Sequence, residues 1–265
     1  MITLNGIQYT WGQIFYRLGV HATKDYFLIG DKKVYFHYDS YDTRNFNDSS
    51  FHLVVSKSKP GALNQICTES GYSVKSLNKS ALLPDASYVF PVQTLPILFW
   101  GEGTPNSRFA DIIDNHILVL QADLIQSIFF LLSRYEEHYL KVRDKHGRFP
   151  YTASAACRYQ FIELPLVDLY VLALKIWLEN LSGQTLSLEP KLEIHLSHDI
   201  DFLSLYQPMT RWLKLIAKDA IRLKRQRLFE DFRAIRTKYS HDPYFIGLKI
   251  LAEVSTSHHL TSVFN

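Results

Sequence analysis

Cysteine is almost missing from this chain. Only Cys67 and Cys157 occur in 265 residues, with no CxxC spacing and no Cys/His pattern. That speaks against a disulfide scaffold and fits a reducing compartment. Long apolar runs are missing as well. The most apolar stretch, Ile125–Leu132, is interrupted by Gln126 and Ser127, and it falls far short of the roughly 20 residues that span a bilayer. The start, MITLNGIQYTWG, has neither a basic lead nor a continuous apolar core, so no signal peptide is expected. No repeat, low-complexity tract or GxGxxG-like turn occurs. At 47% hydrophobic and 21% charged residues the composition is that of an ordinary folded protein rather than a disordered one. The expectation is a soluble cytoplasmic protein of one large domain or two modest ones.

Net charge is small, +3, but unevenly spread. Between Thr210 and Lys238 ten Lys and Arg stand against three acids, a local +7 that leaves −4 over the remainder. The basic residues fall at irregular intervals around a helix, without the interleaved aromatics that stack bases. This predicts a solvent-exposed helical segment that holds polyanions weakly, with no specific nucleic-acid reading.

Residues 25–38 predict two aromatic-rich strands turning at Gly30–Lys33, and Phe51–Ser56 (FHLVVS) a further strand. Asp39–Ser50 reads as a polar loop between them, and 57–94 as short irregular pieces. LPILFWGEG (Leu95–Gly103) ends in a Gly-Glu-Gly turn, either a ligand loop or a tight turn closing a strand. His116–Gln121 predicts a strand. Asp123 is the expected N-cap of a helix whose Leu124, Ile128, Leu131/Leu132 and Tyr135 share one face. Arg134, Glu136 and Glu137 near its end form either a polar site or a solvated charged face. A second helix opens at Pro165 and stops at Ser182-Gly183. The polar stretch 184–190 (QTLSLEP) then predicts a linker. It divides the chain into an α+β domain, residues 1–185, and a second segment, residues 186–265.

That second segment begins with LEIHLSHDID. Leu192, Ile194 and Leu196 alternate with Glu193, His195 and Ser197, the period of a β-strand, predicted here to be buried. His198, Asp199 and Asp201 follow at once, groups able to hold a metal or move a proton. Open α/β sheets and barrels place their chemistry at the carboxyl ends of strands. Continued strand geometry would set Asp199 and Asp201 on one side and His198 on the other. The plainer alternative is a solvated turn whose aspartates cap the next segment. A long helical stretch follows, then a helix from Asp242-Pro243 and a strand from Leu260.

LSHDID resembles the first motif of the polysaccharide deacetylase superfamily, the NodB-homology carbohydrate esterases, in the branch with a His-Asp-aliphatic-Asp signature. LPILFWGEG, FFLLSRYEEHY (Phe129–Tyr139) and DKHGRFP (Asp144–Pro150) resemble the domain of unknown function that precedes the catalytic part in that branch. The resemblance spans most of residues 90–201. It implies an α/β protein, an N-terminal accessory domain followed by the start of a (β/α) deacetylase-type barrel. It also implies metal-assisted hydrolysis of an N-acetylated sugar, with Asp199 as base, Asp201 as metal ligand, His198 as a further ligand, and zinc as the first choice of divalent cation.

The superfamily's remaining ligands are two histidines four residues apart, and none of the eleven histidines here has that spacing. A catalytic zinc takes three protein ligands, so a cation would be held weakly if at all. A barrel needs about 200 residues or more. The expectation is therefore the front portion of such an enzyme, inactive alone, with open strand edges inviting self-association. Two other readings stand beside it. One is a glycosyltransferase using a DxD carboxylate pair on a nucleotide-sugar diphosphate. The other is a non-catalytic carbohydrate-binding module built on the aromatic-rich first domain.

Overall fold

The computed structural model describes residues 2–39, 50–68, 72–186, 194–205, 209–236, 240 and 242–264. The chain divides into two compact units, residues 1–188 and 189–265. Most of the predicted loop 39–50 and of the linker 184–190 lies outside the described residues, as do Leu192 and Glu193.

The first unit runs α1 (Leu4–Leu18), β1 (Tyr26–Ile29), β2 (Lys32–Asp39), β3 (Phe51–Ser56), α2 (Ala62–Cys67), β4 (Lys75–Asn78) and α3 (Lys79–Leu82). It continues through β5 (Thr94–Ile97), β6 (Ala110–Ile113), β7 (Ile117–Leu120), α4 (Leu124–Leu132), α5 (Tyr135–Tyr139), α6 (Ala155–Arg158) and α7 (Leu166–Ser182). Helix α1 was not anticipated, yet its signals are local. The Thr3 hydroxyl caps it by accepting from the Gly6 N–H at 3.2 Å. Trp11, Ile14, Phe15 and Leu18 recur at helical spacing and are all buried. Gly19 ends the helix in the left-handed region at φ 66°.

The main sheet has the order β1-β2-β3-β7-β6. Its three inner strands, β2, β3 and β7, are parallel, while β1 and β6 join as antiparallel edges. Both β3 and β7 are buried on both faces. That is why FHLVVS and ILVL are near-continuous apolar runs rather than alternating ones. Leu53, Val55, Leu118 and Leu120 belong to the main core together with the buried stripes of α1 and α7. Val54, Ile117 and Val119 form a smaller cluster on the opposite face. Strand β6 was also not anticipated. It turns into β7 through Asp114 and Asn115, at φ 50° and 60°, the paired positive values of a type I′ hairpin turn. Strands β4 and β5 pair as a separate two-stranded ribbon. Helix α7 is fastened to that ribbon and to α3. The Tyr170 hydroxyl donates to the Pro96 carbonyl at 2.5 Å, and the Trp177 indole N–H to the Leu82 carbonyl at 2.9 Å.

The second unit runs β8 (His195–His198), α8 (Met209–Ile221), α9 (Arg225–Arg236), α10 (Pro243–Ser257) and β9 (Thr261–Phe264). Strands β8 and β9 pair in parallel, His195 opposite Thr261 and His198 opposite Phe264. The basic helical stretch is not one helix. Leu223, at φ 53°, breaks it, and Trp212 of α8 meets Phe232 of α9 edge-on at 5.9 Å. Asp242 caps α10, accepting from the Tyr244 N–H at 2.9 Å, and also takes the Ser204 hydroxyl at 2.5 Å.

The two units differ sharply in what they bury. All the buried apolar side chains of the described residues belong to the first unit. In the second, the buried side chains are Ser204, Asp219, Asp242 and Ser255, while Ile221 is 83% and Leu223 81% exposed. The fold is mixed α/β with open sheets, and the described residues form no closed barrel.

Candidate functional site

The HDID residues lie at the carboxyl end of β8, as the alternation predicts, but the strand itself is not buried. His195 and Ser197 are exposed, and Leu196 and His198 half-buried. The reason is pairing, since among the described residues β8 has only β9 beside it in its sheet. Asp199 and Asp201 are exposed, and neither carboxylate has a hydrogen-bond or ion-pair partner among the described residues. His198 is engaged elsewhere. Its ring stacks on Phe264 with centroids 4.8 Å apart, and its Nε2 lies 3.4 Å from the Ser262 hydroxyl. That hydroxyl donates at 2.6 Å to Ser255 on α10. His198 therefore faces the helix-covered side of the two-stranded sheet.

The divalent cation implied by the resemblance does not find a complete site here. Among the described residues no group of three or more His, Cys, Asp or Glu side chains stands close enough to hold a metal, and a catalytic zinc takes three protein ligands.

The motifs in the first unit serve mainly to build it. Arg134 and Glu137 form a local ion pair on the surface. Glu136 turns inward instead and accepts the Ala155 N–H at 2.6 Å, joining α5 to α6. Burial raises its pKa above 4.5, against the lowering effects of that N–H and of Arg158. In DKHGRFP, Asp144 accepts the backbone N–H groups of Arg148 and His146, at 2.9 and 2.8 Å. Those bonds hold its carboxyl below the usual range and close the loop on itself.

A second location was not anticipated. The carboxyl ends of the three parallel strands converge on a hollow of about 220 Å³. Tyr38 reaches it from β2, and Lys57, Ser58 and Lys59 from the exit of β3. Gln126 reaches it from the helix that follows β7. Beneath lies Asp123, fully buried. Its carboxylate accepts the Ser58 N–H at 2.7 Å, the Gln126 N–H at 2.8 Å and the Tyr38 hydroxyl at 3.0 Å. Burial pushes the Asp123 pKa up, and these three bonds, together with the Ser58 side chain, oppose it. The N-cap predicted at Asp123 is present and also organises the hollow's wall.

The Gly-Glu-Gly turn completes the rim. A Cβ on Gly101 would come within 2.2 Å of the Ser56 Cβ, so only glycine lets this turn lie against the end of β3. The Gly101 N–H donates to the Gln121 carbonyl at 2.8 Å and the Glu102 N–H to the Lys57 carbonyl at 2.7 Å. Glu102 thereby stands at the hollow and at an adjoining one of about 360 Å³. The turn is tight because it closes a strand, and that tightness places a carboxylate at the cleft. The sequence signal for the hollow was KSKPG directly after a buried strand, legible only once FHLVVS is known to be a parallel one.

Comparisons with curated proteins and with solved structures returned no match. The family described as a family of unknown function, DUF7033, matches residues 7–183, a span that takes in the main sheet, the Gly-Glu-Gly turn and α7. With more than half of its residues matched, the chain belongs to this family.

Proposed function

We propose that the second unit is the front of a carbohydrate deacetylase-type (β/α) domain acting on N-acetylated sugars, and that the first unit is its accessory domain. The observation that carries this reading is the β8–β9 pair. Two parallel strands joined through helices are the repeating unit of α/β barrels and open sheets. Here that unit presents Asp199 and Asp201, without a partner among the described residues and open to solvent, at the carboxyl end of its first strand. In this reading Asp199 is the base and Asp201 the carboxylate on the cation side. The lack of buried apolar side chains in the described part of this unit favours the same view, because a (β/α) pair packs properly only against further strands.

The partner is a carbohydrate rather than a nucleic acid, and the working compartment is the reducing cytoplasm, where Cys67 and Cys157 remain free thiols. No helix of the described residues is long and apolar enough to cross a membrane.

Cobalt(II) titration of the 265-residue chain, with and without UDP, tests the reading. Weak binding that is lost in Asp201→Asn and indifferent to UDP is the expected result. Binding that appears only with UDP would favour a nucleotide-sugar enzyme. Binding unchanged by Asp199→Asn and Asp201→Asn together would leave a non-catalytic carbohydrate module.

A further inference from the structure

Unpaired polar groups are rare in protein interiors, and each one calls for an explanation. Among the described residues four buried side-chain atoms have no hydrogen-bond partner, and three of them belong to one neighbourhood. Ser56 Oγ is on the last residue of β3, while Ser58 Oγ and Gln126 Nε2 belong to two residues that line the 220 Å³ hollow. Ser58 and Gln126 are only 6% and 7% exposed, so bulk water does not readily satisfy them. Ser58 Oγ is near enough to the Asp123 carboxylate to lower its pKa, yet has no partner within hydrogen-bond geometry. Folding has left two side-chain hydrogen-bonding groups unpaired in the wall of this half-open hollow.

Around the same space two lysines stand against one carboxylate, Glu102. Lys57 and Lys59 both line it, and neither has a carboxylate partner among the described residues. Lys57 rests over the Tyr38 ring, 5.7 Å from its centroid, which holds its ammonium at the rim. Asp123 does not line the hollow. It lies behind Tyr38, Ser58 and Gln126, its oxygens occupied by three donors.

We infer that this hollow binds the oxyanion end of a small acidic ligand, a phosphate or a carboxylate. The Gln126 amide N–H2 and the Ser58 hydroxyl donate to its oxygens, and Lys57 and Lys59 match its charge. An amide N–H2 can only donate, and an ammonium can only donate, so the complement to this set is an oxygen-rich acceptor. Charge-assisted bonds of this kind are the strong ones. Glu102 at the rim faces the remainder of the ligand, where it suits a hydroxyl. Ligands of open α/β sheets lie at the carboxyl ends of the parallel strands, which is where β2, β3 and β7 deliver these groups. This site is independent of the deacetylase reading, and its test does not involve Asp199 or Asp201.

Isothermal titration of the 265-residue chain at fixed ionic strength, with inorganic phosphate, acetate and N-acetylglucosamine in separate arms, examines the inference. Saturable binding of phosphate or of acetate is expected, and the stronger arm names the source of the oxyanion. Lys59→Met and Gln126→Met should each weaken it about tenfold, the loss of one charge-assisted bond. Ser58→Ala and Gln126→Met should melt at the parent temperature or above it, because each removes a buried group that the unliganded fold leaves unpaired. Three results would overturn the inference: no saturable binding of either anion, binding of the neutral sugar alone, or equal anion binding in the Lys57→Met/Lys59→Met double variant.

Discussion

The hydroxyl of Tyr38 donates to the buried carboxylate of Asp123 across 3.0 Å, linking β2 to the helix cap that follows β7, 85 residues later. Ser58, at the exit of β3, adds its backbone N–H to the same oxygen. One carboxylate thus gathers the carboxyl ends of all three parallel strands.

Removing parts of this junction should have graded effects. Tyr38→Phe leaves two donors on Asp123 and should cost about 1–2 kcal/mol. Asp123→Ala strips the partner from two backbone N–H groups and the phenol, and uncaps α4 as well. It should cost about 3 kcal/mol or more. Urea unfolding of the two variants measures both. A smaller loss in Asp123→Ala than in Tyr38→Phe would show that the carboxylate does not organise the junction.

Glu136 supplies a pH dependence. Burial holds its proton more tightly than the ordinary 4.5, so the folded chain keeps this proton at a pH where the unfolded chain has lost it. The stability it contributes is complete below the ordinary value and is lost as pH rises through the raised one. Mild acidification from neutrality should therefore recover part of the first unit's stability. Glu136→Gln, which keeps an acceptor for the Ala155 N–H, should remove that part. Identical pH profiles for parent and variant would refute it.

Chemistry should be nearly silent in this chain. Asp199 and Asp201 are presented, but the described residues do not complete a metal site, so acetate release from N-acetylglucosamine oligomers with added zinc should stay near the blank. Robust release that disappears in Asp199→Asn would reveal ligands the structure does not bring together.

The basic stretch predicts adhesion without selectivity. Helices α8 and α9 expose Lys218 and Arg233, and the turn between them Arg222, while their aromatic pair, Trp212 and Phe232, packs helix on helix. Retention on heparin should vanish at moderate salt. Sub-micromolar binding of DNA or RNA at physiological salt would run against this.

Much of the fold is legible in the sequence where the signal is local. Asp123, Pro165, Gly183 and Asp242-Pro243 mark helix ends by capping chemistry, and the structure ends its helices there. The hairpin at Gly30 and the strands FHLVVS and HILVL follow from β-branched and aromatic runs. Helix α1 was legible too, since Thr3, the Trp11–Leu18 stripe and Gly19 spell it out, but its many aromatic residues blunt the periodicity. The break at Leu223 was not legible, because a leucine in the left-handed region carries no signal of its own. Nor was the hollow, whose groups come from positions 38, 57–59, 102 and 126. Only the parallel pairing of β2, β3 and β7 brings them together. For HDID the strand and its acids were readable, whereas its exposure depends on how many strands stand beside it.

The first unit is closed and the second open, and limited proteolysis with light scattering tests that division most directly. It should be applied to the 265-residue chain and to a chain ending at Gly183. The shorter chain should be monomeric, cooperatively folded and resistant, because it carries all the buried apolar side chains of the described residues except Leu186. The longer chain should be cut early after residue 185 or self-associate through exposed apolar faces and strand edges. A 265-residue chain that is monomeric and resists protease along its whole length would contradict the account, because the second unit would then be a finished fold in its own right.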